Sequence, residues 1–425
     1  YDPDKALDID KAEMQKVNWA GHLTEKEFLY ASIDVFHLLT LYDRAKVVKD
    51  GWLYRLDIIS LKEALEFQRN GMCVDLDKLE VMFKANADRV REIDVPINVN
   101  SYKQVRPYIG SDKSDDLGLT LLALQGNTRA AAVNESRKLL KQNSFLNKFN
   151  IPDGMIYGVF GPYARSGRYT CKDQNLQQLP VLSKPRVKAK DGRDMLYSDV
   201  SQLELRTITA ITGDSTMCQL YYDDGDIHNL VNEMLKIERQ IAKTINFNGL
   251  YGGGAGMMQS ILIKKANLLL DIGEVATALK KWKNLFKTVA KWQEKGIRDH
   301  RAGRLGKTVM GRQYRGNRIT DQLNIENQGT GAEVAKLAMH YMYADLKAND
   351  TYIQNFVHDS FILDTPIDSG ITCIVSKIMA EAMKEAWHEV TQNCKVKDIP
   401  MPVTVYGGYN WGDIENGDYD YKYAV

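Results

Sequence analysis

Met195-Leu-Tyr-Ser-Asp199-Val-Ser-Gln-Leu-Glu-Leu-Arg206 reads as a short strand followed at once by a helix. The apolar run Met195-Leu-Tyr leads to a carboxylate, and helical spacing begins after it. Ser201 and Glu204 stand at capping-box spacing, so one reading makes Glu204 a helix cap. That reading leaves Asp199 unexplained. An unpartnered carboxylate at the end of a buried strand is costly, and a metal ion would satisfy it.

Forty residues on, Arg239-Gln-Ile-Ala-Lys243-Thr-Ile-Asn-Phe247-Asn-Gly-Leu-Tyr251-Gly252-Gly-Gly carries a second pattern. Arg239, Lys243, Phe247 and Tyr251 recur at every fourth position. On a helix they form one stripe about 18 Å long, two cations and then two aromatics. A triphosphate fits the cationic part and its base the aromatic part. The alternative is an amphipathic helix with snorkelling cations. Gly252-Gly-Gly-Ala-Gly256 is neither a P-loop nor a dinucleotide fingerprint, because no Gly-Lys-Ser/Thr follows and no strand precedes it. The third pattern is Phe356-Val-His-Asp359-Ser-Phe-Ile-Leu-Asp364, two apolar runs meeting at His358-Asp359. It reads as a tight hairpin with a carboxylate at its tip, or as a plain Asx-type turn. Taken together, two strand-end aspartates with a cationic helix between them match phosphoryl transfer. That chemistry needs paired divalent cations held by carboxylates and positive charge on the outgoing phosphates.

The rest of the chain sets bounds. Its 425 residues suggest several lobes. No apolar run reaches the ~18 residues of a membrane span, and the charged start Tyr1-Asp-Pro-Asp reads as a trimmed product without a signal peptide. Five scattered cysteines argue for reduced thiols rather than a zinc site. The net charge of +1 says nothing of nucleic acid. Local clusters do: Arg298, Arg301, Arg304, Lys307, Arg312, Arg315 and Arg318, and separately Lys184, Arg186, Lys188, Lys190 and Arg193, suit phosphates or a solvated face. Helices are expected at 23–50, 58–92 (broken at Asn70-Gly71), 127–148, over most of 202–300, at 328–346 and at 371–390. Residues 96–120, with Pro96, Pro107, Gly110 and Gly118 as breakers, read as irregular and the tail after 390 as turn-rich. The class is α+β.

The three stretches resemble motifs A, B and C of the family A DNA polymerases. Further matches are Gly167-Arg168 with Asn175-Leu-Gln-Gln-Leu-Pro180, Asp226-Ile-His228, Gly311-Arg312, and Asn324-x3-Gln328-Gly-Thr330. The resemblance implies a right-hand polymerase fold with a palm sheet, helical fingers and a helical thumb. It implies that Asp199 and Asp359 ligate two Mg2+ ions, with Mn2+ able to substitute, and that Lys243 shares in catalysis. Arg239, Lys243 and His228 would hold the triphosphate, with Arg186 a further phosphate candidate. Phe247, Tyr251, Gln202 and Glu204 would bind the rest of the nucleotide, Glu204 excluding a 2′-hydroxyl. Arg168, Asn324, Gln328, Arg312, His358, Asn175 and Gln177 would contact DNA. Partners would be primer-template DNA and deoxynucleoside triphosphates, with a separate exonuclease-bearing polypeptide or processivity factor, and no membrane. The expected setting is the cytoplasm of a bacterium or phage-infected host, with an organelle as the alternative.

The implied lobes are 51–160, thumb and the lead into the palm; 161–212, palm with motif A; 213–305, fingers with motif B; and 306–425, palm with motif C. Ser360 stands where the family usually has a second acid. Residues 1–50, with Tyr30-x3-Asp34, resemble the end of the 3′–5′ exonuclease domain, and its acidic Asp-x-Glu motif has no counterpart here. The expected activity is DNA-directed DNA synthesis, in replication or repair, without proofreading by this chain alone. A single-subunit RNA polymerase is one rival, which Glu204 argues against. A non-catalytic nucleic-acid-binding subunit is the other, which the retained aspartates argue against.

Overall fold

The computed structural model describes residues 51–425 apart from Lys148, Asn150, Tyr163 and Val425, together with Thr24, Glu25 and Ser32. The expected helix at 23–50 and the Tyr30/Asp34 pair therefore lie outside the described residues. The chain divides into two compact units, Tyr1–Ile58 and Ile59–Val425. Among the described residues no helix is long and apolar enough to cross a membrane.

Helix α1 (Trp52–Phe67) is followed by β1 (Met72–Val74) and α2 (Leu76–Ile93), so a short buried strand occupies the break expected at Asn70-Gly71. The stretch expected to be irregular holds two helices, α3 (Tyr102–Ile109) and α4 (Asp116–Leu124). The residues read as breakers have other jobs. Gly110, at φ 68°, closes α3, and its N–H donates to the Arg106 carbonyl. Asp115 caps α4, and a Cβ on Gly118 would lie 2.5 Å from the Lys113 carbonyl oxygen. Helix α5 (Thr128–Leu146) follows its cap Asn127. Together α3 to α5 enclose a small core of Val105, Ile109, Leu119, Ala130 and Val133.

Short strands β2 (Met155–Ile156), β3 (Val159–Gly161), β4 (Thr170–Lys172) and β5 (Val187–Lys188) come next, and β2 and β5 flank β1. Then β6 (Arg193–Val200) enters the main sheet. A run of helices follows: α6 (Leu203–Thr212), α7 (Ser215–Tyr222), α8 (Ile227–Leu235), α9 (Arg239–Leu250), α10 (Ala255–Ala266), α11 (Ile272–Leu285) and α12 (Lys287–Arg301). The hairpin β7 (Gly306–Lys307) and β8 (Gln313–Tyr314) leads to α13 (Ile319–Ala348). This helix starts well before the expected Gln328, because tertiary burial of Gln322, Leu323, Asn327 and Gly329 overrides weak local propensity. Strands β9 (Tyr352–Val357) and β10 (Ser360–Pro366) form the expected hairpin, and α14 (Ser369–Thr391) the expected last long helix. The tail is more ordered than expected: β11 (Val403–Gly408), α15 (Trp411–Asn416) and β12 (Tyr421–Ala424) complete it.

The main sheet runs β12-β11-β6-β10-β9, all antiparallel neighbours. Strand β6 is central; its Leu196 is fully buried, as are Ile362, Leu363, Val403 and Val405 on the strands that flank it. Period-2 alternation fixes which side chains of β6 face the core, so register here decides where Asp199 points.

Helix α13 also sets the loop that precedes β4. A Cβ on Gly329 would stand 2.7 Å from Thr308 Cγ2 and 3.0 Å from the Ser166 carbonyl oxygen. The second contact is to backbone, which cannot swing aside. We therefore expect Gly329→Ala to destabilise the protein by about 1–3 kcal/mol despite alanine's better helix propensity. Thermal unfolding followed by circular dichroism reads this, and an unchanged or raised midpoint would show that the loop is not packed as described.

Candidate active site

Asp199 is the penultimate residue of β6, paired with Thr404 of β11 on one side. On the other side β10 begins at Ser360, and Asp359 lies in the two-residue turn before it, next to His358 at φ 61°. The two carboxylates thus sit at the ends of adjacent strands and line one cavity of about 390 Å³. Arg168, Gln202, Glu204, His228, Arg239, Lys243, Phe247 and His358 line it too.

Burial, followed by the neighbouring Asp199 charge, pushes the Asp359 carboxyl up to about 7; Arg168 opposes the shift and Glu204 adds to it. Desolvation also raises Asp199, with Lys243 opposing and Glu415 adding. Asp199 is nonetheless open to the cavity, so it is crowded by protein and still reachable from the cleft. Burial likewise lowers the His358 pKa, and the Arg168 charge lowers it further.

The α9 stripe forms, with Tyr251 at the cap just past its last turn and Gly252, at φ 68°, ending the helix. Arg239 is held to Asp226 (Nη2 to Oδ2, 2.6 Å) and to Asn229 (Nε to Oδ1, 2.9 Å). Asp226 also caps α8, accepting from the His228 and Asn229 amides. Lys243 is exposed and makes no ion pair among the described residues, so its charge is free for the cleft.

His228 is buried, and its pKa falls to about 4 through burial and the nearby Arg239 and Lys243 charges. It is neutral at pH 7, and its tautomer follows from its neighbours. Trp282 Nε1 can only donate, and it donates to Asn246 Oδ1 at 2.8 Å. Asn246 Nδ2 must then be the donor to His228 Nδ1, also 2.8 Å away. The ring proton is left on Nε2, giving the cleft a neutral donor.

Glu204 does not cap a helix. The N-cap of α6 is Gln202, at φ 58°, with no side-chain cap bond, so the capping-box reading fails. Instead the Glu204 carboxylate accepts from Arg168 Nη2 and from the Tyr251 hydroxyl. Asn327, which the sequence reading did not single out, donates to the Glu204 carbonyl oxygen at 3.0 Å. Gln202 in turn accepts from the Tyr221 hydroxyl at 3.0 Å.

Behind Arg168 lies a buried support. Arg312 and Thr308 both bond the Glu333 carboxylate, which burial raises to about 7. Gly167, at φ 78°, lies against the Arg312 guanidinium. Of the other expected contacts, Asn324 lines a second cavity of about 500 Å³ with Lys243, Phe247 and Tyr251. Gln328 stands one turn further along α13 and lines neither cavity. Three expected residues are turned to structural bonds. Asn175 accepts from the Gln177 amide at a 3-10 cap, Gln177 Nε2 donates to the Phe356 carbonyl at 2.6 Å, and Arg186 Nη1 donates to the Leu182 carbonyl outside the cleft. Ser360, in the place of an acid, lies 3.3 Å from the Tyr197 hydroxyl.

The carboxylate pair fits divalent cations. Burial raises the pKa of both acids, the Asp199 charge raises Asp359 further, and neither has a side-chain hydrogen-bond or ion-pair partner among the described residues. No cluster of three or more His, Cys, Asp or Glu among the described residues would make a closed cage. An open two-carboxylate site suits a hard cation that keeps water and phosphate ligands, as Mg2+ does, better than structural zinc.

Comparison with known proteins bears on what this cleft is. The profile of DNA polymerase family A matches residues 96–413. DNA polymerase I of Aquifex aeolicus is 25% identical over 391 residues, covering 84% of this chain and 67% of that protein. The thermostable DNA polymerase I of Thermus filiformis is 26% identical over 411 residues, covering 84% of this chain and 45% of that protein. The chain thus spans about half to two thirds of the length of these relatives. Among solved structures, the POL domain of Pol1 from M. smegmatis, in complex with DNA primer-template and dNTP, superposes with a TM-score of 0.74 at 19% identity, over 87% of this chain and 72% of that one. The fold is that of a right-hand polymerase domain.

The raised Asp359 pKa has a pH signature. Between about pH 4 and 7 the folded chain keeps a proton that the unfolded chain has released, so stability falls as pH rises through that window and stays lower above it. Asp359→Asn removes this cost. In EDTA the variant should unfold at the same temperature as the parent at pH 4 and a few degrees higher at pH 8, and Mg2+ should narrow the pH 8 gap by binding the parent alone. Equal midpoints at pH 8 in EDTA would contradict the crowding of the two acids.

Proposed function

The chain belongs to DNA polymerase family A, and from that premise we propose that it is a template-directed DNA polymerase, adding deoxynucleoside triphosphates to a primer 3′ end. The observation that carries the reading is the Asp199–Asp359 pair at the ends of β6 and β10, facing Arg239, Lys243 and His228 across one cavity. The mycobacterial neighbour, solved with primer-template and dNTP, supports those partners. Family membership carries a general dependence on divalent metal, and the reading assigns two Mg2+ ions, replaceable by Mn2+, to Asp199 and Asp359. Bound there, the cations activate the primer hydroxyl and stabilise charge on the transferring phosphoryl group and its leaving group.

The chain's own residues set up the rest. Lys243 reaches the cleft as an unpaired cation and Arg239 as one already oriented by Asp226, so both lie where triphosphate charge would sit. His228, held neutral, donates from Nε2 without adding charge. Phe247 forms the wall shared by the cleft and the second cavity, a place for the incoming base. Glu204, fixed by Arg168 and Tyr251, stands as the wall against a 2′-hydroxyl. Asn324, Gln328, Arg168, Arg312 and His358 are proposed DNA contacts, and Asn175 and Gln177 shape the loop behind them. In this reading residues 51–160 are thumb and the lead into the palm, 161–212 and 306–425 palm, and 213–305 fingers. A separate exonuclease-bearing polypeptide or processivity factor is a further proposed partner, and the proposed setting is cytoplasmic.

Primer extension with Mg2+ tests the assignment. Asp199→Asn and Asp359→Asn should each lower turnover by a thousandfold or more, since each removes metal-held charge stabilisation worth several kcal/mol, roughly 10³ in rate, while primer-template binding persists. Near-normal turnover by either variant would sink it. A second assay addresses Glu204. Glu204→Ala should raise ribonucleotide incorporation relative to deoxynucleotide by about tenfold or more, the scale of a lost steric contact, with a smaller loss in DNA synthesis. Unchanged discrimination would leave Glu204 only the anchor of Arg168 and Tyr251.

A further inference from the structure

A third cavity, about 720 Å³, opens beside the glycine turn that ends α9. Its walls are Gly252–Gly254 on one side and the faces of α11 and α12 on the other. Four lysines line it: Lys280 and Lys283 from the last turns of α11, Lys287 and Lys291 from the first turns of α12. All four are exposed, and none forms an ion pair among the described residues. Glu294, at the far end, is the acid among the lining residues. Further along, Lys295 and Arg304 share Asp299 as an ion-pair partner. The groove is thus a concentration of unpaired positive charge, which the sequence hides because the lysines, at steps of three, four and four, straddle the break between two helices at Phe286.

Its position gives it a direction. Lys243 and Phe247 line both the catalytic cleft and the second cavity, and Gly253 lines both the second cavity and the lysine groove. The three spaces therefore lie in series, each sharing a wall with the next. Phe247 and Gly253 are six residues apart, across the last turn of α9 and the glycine turn that ends it. The residue shared by the last two spaces is Gly253, where a Cβ would meet the Asn248 side chain, while on the groove side nothing lies within 4 Å of a Cβ placed on Gly254.

We propose that this groove binds the unpaired template strand ahead of the base being copied, through its phosphates. The proposal rests on the polymerase reading above and adds to it a site on α11 and α12. A strand that leaves the cleft past Phe247 and crosses the glycine turn meets the four lysines next. The groove's lining holds no aromatic ring, so the grip is on backbone charge and not on bases, and it is indifferent to sequence.

The test is the binding of labelled hairpin primer-templates with 5′ template overhangs of about 2 and about 15 nucleotides, measured by fluorescence anisotropy between ~50 and ~200 mM KCl, where phosphate contacts dominate the salt dependence. The unsubstituted chain should prefer the long overhang. The variant Lys280→Gln/Lys283→Gln/Lys287→Gln/Lys291→Gln should lose about tenfold on the long overhang, flatten its log–log salt slope by about 2–3 at ~0.7 per single-strand phosphate contact, and bind the short overhang as before. The four Lys→Arg changes should preserve the preference. Retention of the preference by the glutamine variant, or an equal loss on both overhangs, would overturn the proposal. Primer extension by the unsubstituted chain on the short overhang separates this result from the polymerase reading, because that assay fails only if the reading itself fails.

Discussion

The repulsion between two carboxylates held at neighbouring strand ends is the constraint around which this cleft is arranged. Strands β6 and β10 are hydrogen-bonded through Ile362–Tyr197 and its neighbours, and their apolar side chains fill the centre of the main sheet. Neither strand can shift without exposing that core or reversing its faces. Asp199 and Asp359 are therefore kept close although burial, with the Asp199 charge added to it, pushes Asp359 up to about 7. A hydrophobic sheet, stabilised elsewhere, holds an electrostatic cost in place. In the absence of a cation that cost is a penalty; divalent cations bound there would turn it into binding energy.

The surrounding residues fall into layers that serve that pair. Arg168 softens the negative charge and is itself tied to Glu204, which Tyr251 and Asn327 also anchor. Beneath Arg168, the Gly167 backbone rests on Arg312, and Arg312 is paired with buried Glu333. Across the cleft a polar chain from Trp282 through Asn246 fixes His228, while Asp226 orients Arg239. Cations used on an anionic ligand need partners that aim them without quenching them. Asp226 gives Arg239 such a partner at the cleft edge, and Lys243 is left unpaired among the described residues.

Much of this was legible in the sequence because it follows local periodicity. Asp199 and Asp359 end apolar runs, and Arg239, Lys243 and Phe247 repeat at helical spacing, so both patterns survive without knowledge of the fold. What escaped depended on distant partners or on unusual backbone. Gln202 takes a left-handed conformation, so α6 starts at Leu203 and the Ser201–Glu204 spacing never forms a capping box. Asn246 gains its role from Trp282, in a different helix. Pro107 and Gly118 read as breakers, yet α3 contains the one and the first turn of α4 needs the other for close backbone approach. Asn175, Gln177 and Arg186 matched family positions, but their side chains are engaged in hydrogen bonds that no spacing rule announces, Asn175 and Arg186 with near neighbours and Gln177 with the distant Phe356.

The central claim is that the two strand-end carboxylates together hold the catalytic cations. The most direct measurement is a crystal structure of the chain with primer-template, a non-hydrolysable deoxynucleoside triphosphate and Mn2+, with the ions located by anomalous scattering. The account predicts two Mn2+ peaks roughly 3.5–4 Å apart, both ligated by Asp199 and Asp359 and lying between the primer terminus and the triphosphate. Mn2+ held on the triphosphate alone, with either aspartate outside its coordination shell, would contradict it.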